Sequence, residues 1–263
     1  MVDFVVPLAT ANASGTLNIP YAFNSWALNR FLWVNIATCH DTNGVSADPV
    51  QDAFQDGQQM FNYRIGEKTT EGGKPPVRDY LYLTDPAQTT ALSGTVSVQL
   101  RAGFSATPSH VVVHVVGITG AQSPWKRDDA LGTGTDTVPI GVIAFGDPYG
   151  GFAGAAARGN PTPPVLTAGA GVLQKLGDAV AGAPGEGSVR GTVWLCDTSS
   201  TWTVAASFSS FLAGTGFSLR GGLPAGEAPA PPEPTNALQA DWEKRWWMFG
   251  HVQPHFAEEE DCR

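Results

Sequence analysis

Charged side chains are scarce in this sequence, and basic ones are the scarcest. Only 15% of the 263 residues are charged, with 15 Lys and Arg against 24 Asp and Glu, so the formal net charge is −9. A folded domain that binds nucleic acid normally carries a basic stripe that displaces counterions from phosphates. The scattered Lys and Arg residues predict no such stripe, and no basic arm for holding a nucleic acid.

Cysteines and long apolar runs are also few. The three cysteines are Cys39, Cys196 and Cys262, an odd number without a Cys-x-x-Cys pair. A secreted protein of this size more often carries an even set that forms disulfides, so we expect reduced thiols in a cytosolic compartment. The N-terminal residues show no signal peptide, and no apolar run approaches the roughly eighteen residues of a membrane-spanning helix, so no span is predicted.

The sequence motifs of common enzyme active sites are missing. There is no nucleophile elbow, zinc-protease motif or P-loop. Cys39-His40-Asp41 contains the residue types of a catalytic triad, but consecutive residues cannot point at one another in the required geometry. Gly132-Thr133-Gly134 lacks the third glycine of a dinucleotide-binding loop. We therefore predict a protein that is not an enzyme and has no cofactor.

Two constellations could hold a metal ion. Asp128 and Asp129 are adjacent carboxylates, but nothing nearby in the sequence supplies further ligands. His110 and His114 are four residues apart on a predicted strand, which places both side chains on one face. A zinc or iron site needs a third ligand and usually a fourth. Polar side chains on the wetter face of this strand are the favoured interpretation, and a barrel metalloenzyme using this pair remains a lesser alternative.

Turn-forming and apolar residues are abundant, and they predict an all-β protein. The chain has 31 Gly, 20 Pro and 42% hydrophobic residues. Both Gly and Pro break helices and populate turns. Alternating or β-branched runs predict five strands in the middle of the chain. They are 92–100, 110–116, 138–145, 189–195 and 202–211, with the last two expected to form a hairpin. No internal repeat is visible in the sequence.

Composition also divides the chain into four regions. Residues 1–47 read as an N-terminal strand pair or arm, and 48–90 as an irregular connecting segment. Residues 91–223 read as the core of the fold, interrupted by a Gly- and Ala-rich loop over 146–187 with one short helix at 172–176. Residues 224–263 combine a Pro-rich linker with an aromatic and acidic tail, in which a short helix over 236–249 is predicted.

Aromatic residues near both ends of the chain are candidates for contacts between subunits. Tryptophan and other large aromatic side chains are favoured anchors at protein interfaces. The alternative for the tail is that it folds back onto its own core. The candidate interface residues are Tyr21, Trp26, Trp242, Trp246, Trp247 and Phe249.

Three segments of the sequence carry a resemblance to a known family. The first, Asn62-Tyr63-Arg64-Ile65-Gly66-Glu67-Lys68 followed by Val77-Arg78-Asp79-Tyr80-Leu81, resembles a segment in capsid proteins of picorna-like viruses of the dicistrovirus and marnavirus types. The second, residues 202–224, is similar to the last strand of those proteins. The third, Thr16-Leu17-Asn18-Ile19-Pro20-Tyr21 with residues 32–36 after it, is similar to a strand, Pro-Tyr corner and strand inside such barrels. Together the matches cover about a third of the chain.

This resemblance implies an eight-stranded antiparallel jelly-roll sandwich with long loops and extended terminal arms. It implies a structural protein of the virion, made in the host cytoplasm, that assembles with like or related subunits into an icosahedral shell around an RNA genome. Exposed loops would contact a host receptor. The alternative from a different class is a β-sandwich binding or decoration module, for carbohydrate or a virion surface.

Overall fold

We describe the fold from a computed structural model of the chain. The structure describes residues 2–24, 30–40, 49–68, 77–84, 90–101, 109–119, 126–141, 151–159, 162–182, 187–197 and 201–220. These residues belong to one compact unit, Met1–Ala225. They contain seventeen β-strands, and every strand pairing in them is antiparallel. The prediction of an all-β protein is therefore confirmed.

Nine strands lie in the first half of the unit, which we define as residues 2–118. They are β1 (Val2–Ala13), β2 (Thr16–Ala22), β3 (Phe31–His40), β4 (Val50–Gln55), β5 (Gln58–Gln59), β6 (Phe61–Lys68), β7 (Val77–Leu83), β8 (Ser93–Leu100) and β9 (Ser109–Ile118). Eight strands lie in the second half, residues 126–220. They are β10 (Lys126–Gly134), β11 (Thr137–Gly141), β12 (Gly151–Gly159), β13 (Leu166–Ala168), β14 (Val172–Gly182), β15 (Ser188–Cys196), β16 (Thr201–Ala206) and β17 (Leu212–Arg220).

Each half contributes a large and a small sheet. In the first half, sheet A has the order β1-β9-β3-β7-β6 and sheet B the order β2-β8-β4-β5. In the second half, sheet C has the order β10-β17-β12-β15-β14 and sheet D the order β11-β16-β13. One apolar cluster joins sheets A and B, another joins C and D, and two more join A and C. The sheets therefore stack in the order B, A, C, D, as two β-sandwiches packed against each other.

Sheet A is buried on both faces, and its central strands show why. On β3, Val34 packs towards sheet B, while its neighbour Trp33 packs towards sheet C. The same alternation holds on β9, where Val113 and Val112 belong to different clusters. Because successive side chains of a strand point to opposite faces, a strand buried on both sides must be almost continuously apolar. The prediction that 110–116 is such a strand is confirmed.

The second half repeats the strand order of the first. In sheet C, the strands β10, β17, β12, β15 and β14 take the places that β1, β9, β3, β7 and β6 take in sheet A. In sheet D, β11-β16-β13 corresponds to β2-β8-β4 in sheet B. The edge strands β6 and β14 even share a bulge, after Asn62 in one and after Lys175 in the other. The expectation of no internal repeat is therefore wrong at the level of structure.

Several other predictions also need correction. Residues 48–90, predicted as irregular, contain β4 to β7, and the Gly- and Ala-rich 146–187 contains β12 to β14 rather than a loop. The helix predicted at 172–176 is the start of β14. Strands β15 and β16 do not form the predicted hairpin, because they lie in sheets C and D and pair with other strands. Alternation within a strand says which face is buried, but not which strand lies beside it.

Some predictions fall outside the described residues. These include the linker and tail over 224–263, with its predicted helix at 236–249, and Trp26 near the N-terminus. The N-terminal residues that are described supply β1, β2 and β3 of the first sandwich. Within the described ranges, no helix has the length and apolar character needed to cross a membrane.

Candidate functional site: the interface between the two halves

The facing surfaces of sheets A and C form the largest contact between the two halves, and we call it the central interface. Across it β3 packs on β12, β7 on β17, and β9 on β15, with β1 on β14 and β6 on β10 at the margins. Strands β3 and β12 are equivalent in the two halves. Strand β7 contacts β17, which is the equivalent of β9, and β9 contacts β15, which is the equivalent of β7. This reciprocity is that of an isologous two-fold interface, here within a single chain.

One end of the central interface is aromatic. The ring centroid of Trp33 lies 5.6 Å from that of Phe152 and 5.5 Å from that of Phe217. The two phenylalanine rings stack with centroids 5.4 Å apart. Trp33 comes from the first half and both phenylalanines from the second, so this cluster anchors the two halves to each other.

The other end is built from small residues, which let the two sheets approach closely. Ala37 and Val112 of sheet A pack with Ala156 and Ala213 of sheet C. A Cβ atom added to Gly191 would lie 2.9 Å from a methyl carbon of Val112 and 3.0 Å from Cβ of Ala37. This close approach explains why small side chains such as Ala156 and Gly191 occupy the buried positions at this end of the interface.

Between these two ends lies a layer of buried polar residues. The Asp79 carboxylate accepts hydrogen bonds from the Thr215 hydroxyl at 2.5 Å, from the Thr215 backbone N–H and from Asn35 Nδ2 at 2.9 Å. Asn35 Nδ2 also donates to the backbone oxygen of Tyr80 at 3.3 Å. A Cβ on Gly154 would lie 2.0 Å from Asn35 Nδ2, so only glycine leaves room for that amide. The layer thus joins the two sandwiches through specific contacts.

The Asp79 carboxyl has an unusual protonation equilibrium. Burial raises its pKa from 3.8 to about 7, although the hydrogen bonds from Thr215 and Asn35 lower it. Burial disfavours the charged form of a carboxyl because the protein interior solvates charge poorly. The central interface therefore holds a carboxyl that is largely neutral below about pH 7.

His114 lies beside Asn35 on the neighbouring strand β9. Burial lowers its pKa from 6.5 to about 4, and the charge of Asp178 raises it only in part. Neither ring nitrogen has a hydrogen-bond partner among the described residues. Near neutral pH the imidazole is uncharged, so His114 is accommodated in its neutral form, as Asp79 is below about pH 7.

The described residues that were predicted to carry chemistry do not form one site. His110 and His114 share one face of β9, as predicted, but that face is buried at the central interface, so the prediction of a wetter face is wrong. In the described part of the chain no group of three or more His, Cys, Asp or Glu residues could hold a metal ion. Asp128 and Asp129 lie on β10, paired in register with Ser218 and Phe217 of β17. Cys39 is buried at the central interface, while Asp41 lies outside the described residues.

The predicted interface residue Tyr21 lies inside the first sandwich. Its side chain is buried in the cluster between sheets A and B, and its hydroxyl donates to Asp56 Oδ2 at 2.8 Å. Its ring is therefore part of this chain's own core rather than of an exposed surface. Trp26, Trp242, Trp246, Trp247 and Phe249 lie outside the described residues.

Sequence reasoning missed Asn35, Asp79 and Thr215. One signal was present: Val77-Arg78 and Val189-Arg190 each begin a segment that ends, five residues later, in an aromatic-Leu pair. These segments are β7 and β15, which occupy equivalent places in sheets A and C. Aligning them would have indicated the duplication and shown that Asp79 has a glycine at its equivalent position.

We expect Thr215→Val to destabilise the protein more at pH 8 than at pH 5. The variant removes a hydroxyl that donates to Asp79, and a hydrogen bond to a charged group contributes about 2 kcal/mol against about 1 for a neutral one. Urea unfolding at both pH values measures the difference. Thr192→Val is the matched control, because that buried hydroxyl contacts Ala155 and Trp194 instead. An equal loss for Thr215→Val at the two pH values would contradict the role of the hydroxyl at Asp79.

A comparison of the chain with family models, curated proteins and solved structures finds no match. What the protein does must therefore be inferred from its strand order, its packing and the chemistry of the central interface.

Proposed function

We propose that the chain is a non-catalytic shell protein, built from two jelly rolls, that assembles with like or related subunits into a closed particle. The strand order carries this proposal. In the first half, β1-β9-β3-β7 faces β2-β8-β4-β5. Lettering the jelly-roll strands B to I in chain order, and treating β5 and β6 as one bent strand F, gives B-I-D-G facing C-H-E-F. This order supports the proposed jelly roll, an architecture common to capsid and lectin domains.

The duplicated second half supports the same fold. Its sheets give B-I-D-G as β10-β17-β12-β15 and C-H-E as β11-β16-β13. The proposed pair of jelly rolls would differ from the single eight-stranded barrel that the sequence predicts for residues 91–223. We propose that each shell subunit presents both sandwiches as one rigid block, since they share a continuous buried interface.

The outer faces of sheets B and D suit contacts with neighbouring subunits. Four exposed positions there carry small uncharged side chains, namely Thr16 and Asn18 on β2 and Thr137 and Thr201 on sheet D. Surfaces buried between proteins are depleted of charge at their centres. An RNA genome inside such a shell would be neutralised by other components, since the net charge of this chain is −9. Exposed loops of the assembled virion would meet a host receptor.

The mass of the purified protein in solution tests the proposal. We expect a megadalton, roughly spherical particle under assembly-permitting conditions, seen by light scattering and negative-stain electron microscopy. A stable monomer of 27.6 kDa under the same conditions would contradict the shell proposal. It would instead favour a binding module, to which the described part of the chain offers the exposed rings of Phe61 and Phe208 as aromatic contacts.

We also expect Thr16→Glu and Thr137→Glu to reduce assembly at least tenfold without changing subunit stability. Both threonines are exposed, so the new charges affect folding by less than about 0.5 kcal/mol, whereas a charge without a partner is unfavourable in an interface. Gln174→Glu is the control, since this exposed residue lies on an edge strand of sheet C. Sedimentation measures assembly and urea unfolding measures stability. Normal assembly by both threonine variants would exclude these faces as contacts.

A further inference from the structure

The internal two-fold relation makes it possible to compare the two halves position by position. Asn35 lies opposite His114 and Leu81 in sheet A, and Gly154 lies opposite Thr215 and Val193 at the same place in sheet C. Asn35 and Gly154 are therefore equivalent positions. The same registers make His114 equivalent to Thr215.

Asp79 has a glycine as its equivalent. Asp79 lies opposite Ala37 on β3, and Gly191 lies opposite Ala156 on β12, two residues beyond Asn35 and Gly154 respectively. At three polar positions of the central interface, then, the first half carries the larger side chain and the second half the smaller one.

We propose that the central interface is a specificity surface that accepts the opposite half of the chain and rejects a second copy of the same half. The partner that fits sheet A is a sheet of the same strand order that has glycine or threonine at the positions equivalent to Asn35, Asp79 and His114. Sheet C of this chain is such a partner. This inference concerns pairing within the chain and does not depend on the shell function.

Pairing of two first halves would be sterically and electrostatically unfavourable. Gly154 would be replaced by a second Asn35, although a Cβ at that place lies only 2.0 Å from Asn35 Nδ2. Gly191 would be replaced by a second Asp79, and a Cβ there lies about 3 Å from Ala37 and Val112. The pair would also bury two carboxyls. A close-packed interior tolerates neither the added volume nor the added charge.

Pairing of two second halves would leave volume unfilled. Glycine would face glycine at the position of Asn35, and Thr215 would face Gly191 rather than the carboxyl of Asp79. Lost contacts and an unsatisfied buried hydroxyl both destabilise a packed interface. Only the pairing of unlike halves lets Asn35 of one sheet and Thr215 of the other both donate hydrogen bonds to Asp79.

The consequence concerns a protein present at high local concentration. Sheets A and C have the same strand order, so without discrimination the halves of neighbouring chains could exchange in either combination. Exchange that joins like halves can continue from chain to chain without closing. The polar layer removes that route, because like halves do not fit.

A swap of one residue pair in the full-length chain tests the proposal. Asn35 and Gly154 face each other near the two-fold axis, so the single variants Asn35→Gly and Gly154→Asn should be destabilised by a gap and by a clash. The double variant returns one asparagine and one glycine to the same place. Each substitution alone should raise the equilibrium constant for unfolding. In the double variant we expect this constant to rise by a factor that is roughly ten- to a hundredfold smaller than the product of the two single factors.

The control is a swap on the opposite faces of the same two strands. Val34 and Ala153 are also equivalent, but Val34 lies in the cluster between sheets A and B, and Ala153 in the cluster between C and D. The factors by which Val34→Ala and Ala153→Val raise the unfolding equilibrium constant should multiply in the double variant, because neither substitution compensates for the other.

If Gly154→Asn alone does not fold, a folded double variant of Asn35 and Gly154 still supports the proposal. A double variant that does not fold, or one whose effect equals the product of the singles, would overturn it.

Discussion

Asp79→Asn is expected to gain stability relative to the wild type as the pH rises, by up to about 4 kcal/mol between pH 4 and pH 8. Burial raises the pKa of Asp79 from 3.8 to about 7, so across that interval the folded wild type holds a proton that the unfolded chain releases. Each pH unit in this window destabilises the wild type by about 1.4 kcal/mol. Asparagine has the shape of the neutral acid and carries no such penalty.

The direction of this effect is opposite to that of an ordinary paired carboxylate. A lowered carboxyl pKa gives stability that is lost in acid, whereas the raised pKa of Asp79 gives a destabilisation that grows from about pH 4 and is complete above about pH 7. Urea unfolding of both proteins from pH 4 to pH 8 measures it. Since the other titrating groups are shared, they cancel in the difference. A difference between the two proteins that stays constant across this range would refute the buried, neutral state of Asp79.

His114→Gln is expected to show the reverse behaviour, gaining about 3 kcal/mol over the wild type as the pH falls from 8 to 4. Burial lowers the pKa of His114 from 6.5 to about 4, so the unfolded chain takes up a proton in this window and the folded protein does not. That proton uptake stabilises the unfolded wild type as the solution becomes acidic. Glutamine does not titrate, so the variant is free of this loss.

The two substitutions together provide the control. Asp79→Asn with His114→Gln should show the sum of the two pH-dependent differences, because each variant removes one titrating group. In the wild type these opposite dependences largely offset each other between about pH 4 and pH 6.5, so the central interface contributes nearly constant stability there. If His114→Gln and the wild type keep a constant difference from pH 8 to pH 4, the imidazole is not buried as described.

Some of the architecture followed directly from local sequence. The alternation in residues 92–100 and the β-branched run in 110–116 predicted strands that the structure contains as β8 and β9. These predictions succeed because a strand's side-chain period is set within the strand itself. The scarcity of Lys and Arg likewise described the whole chain without reference to its fold.

Other features depended on contacts between distant residues. Gly- and Ala-rich sequence is typical of loops, yet residues 151–159 form a central strand, and the close approach of sheet A leaves no room for a side chain at Gly154. The bonding of Asp79 to Thr215 joins residues 136 positions apart. No local pattern predicts such a contact, since the sequence around Asp79 does not distinguish it from any other polar residue that follows an arginine.

The sequence by itself therefore determined the all-β class, the positions of the most regular strands and the low charge, since each depends on composition or on period along the chain. Tertiary structure decided the duplication, the stacking of two sandwiches and the protonation of the buried polar layer. The physical reason is that the strand order is repeated although most side chains are not, and that burial raises the pKa of Asp79 to about 7 and lowers that of His114 to about 4, so that both side chains are chiefly neutral between those values.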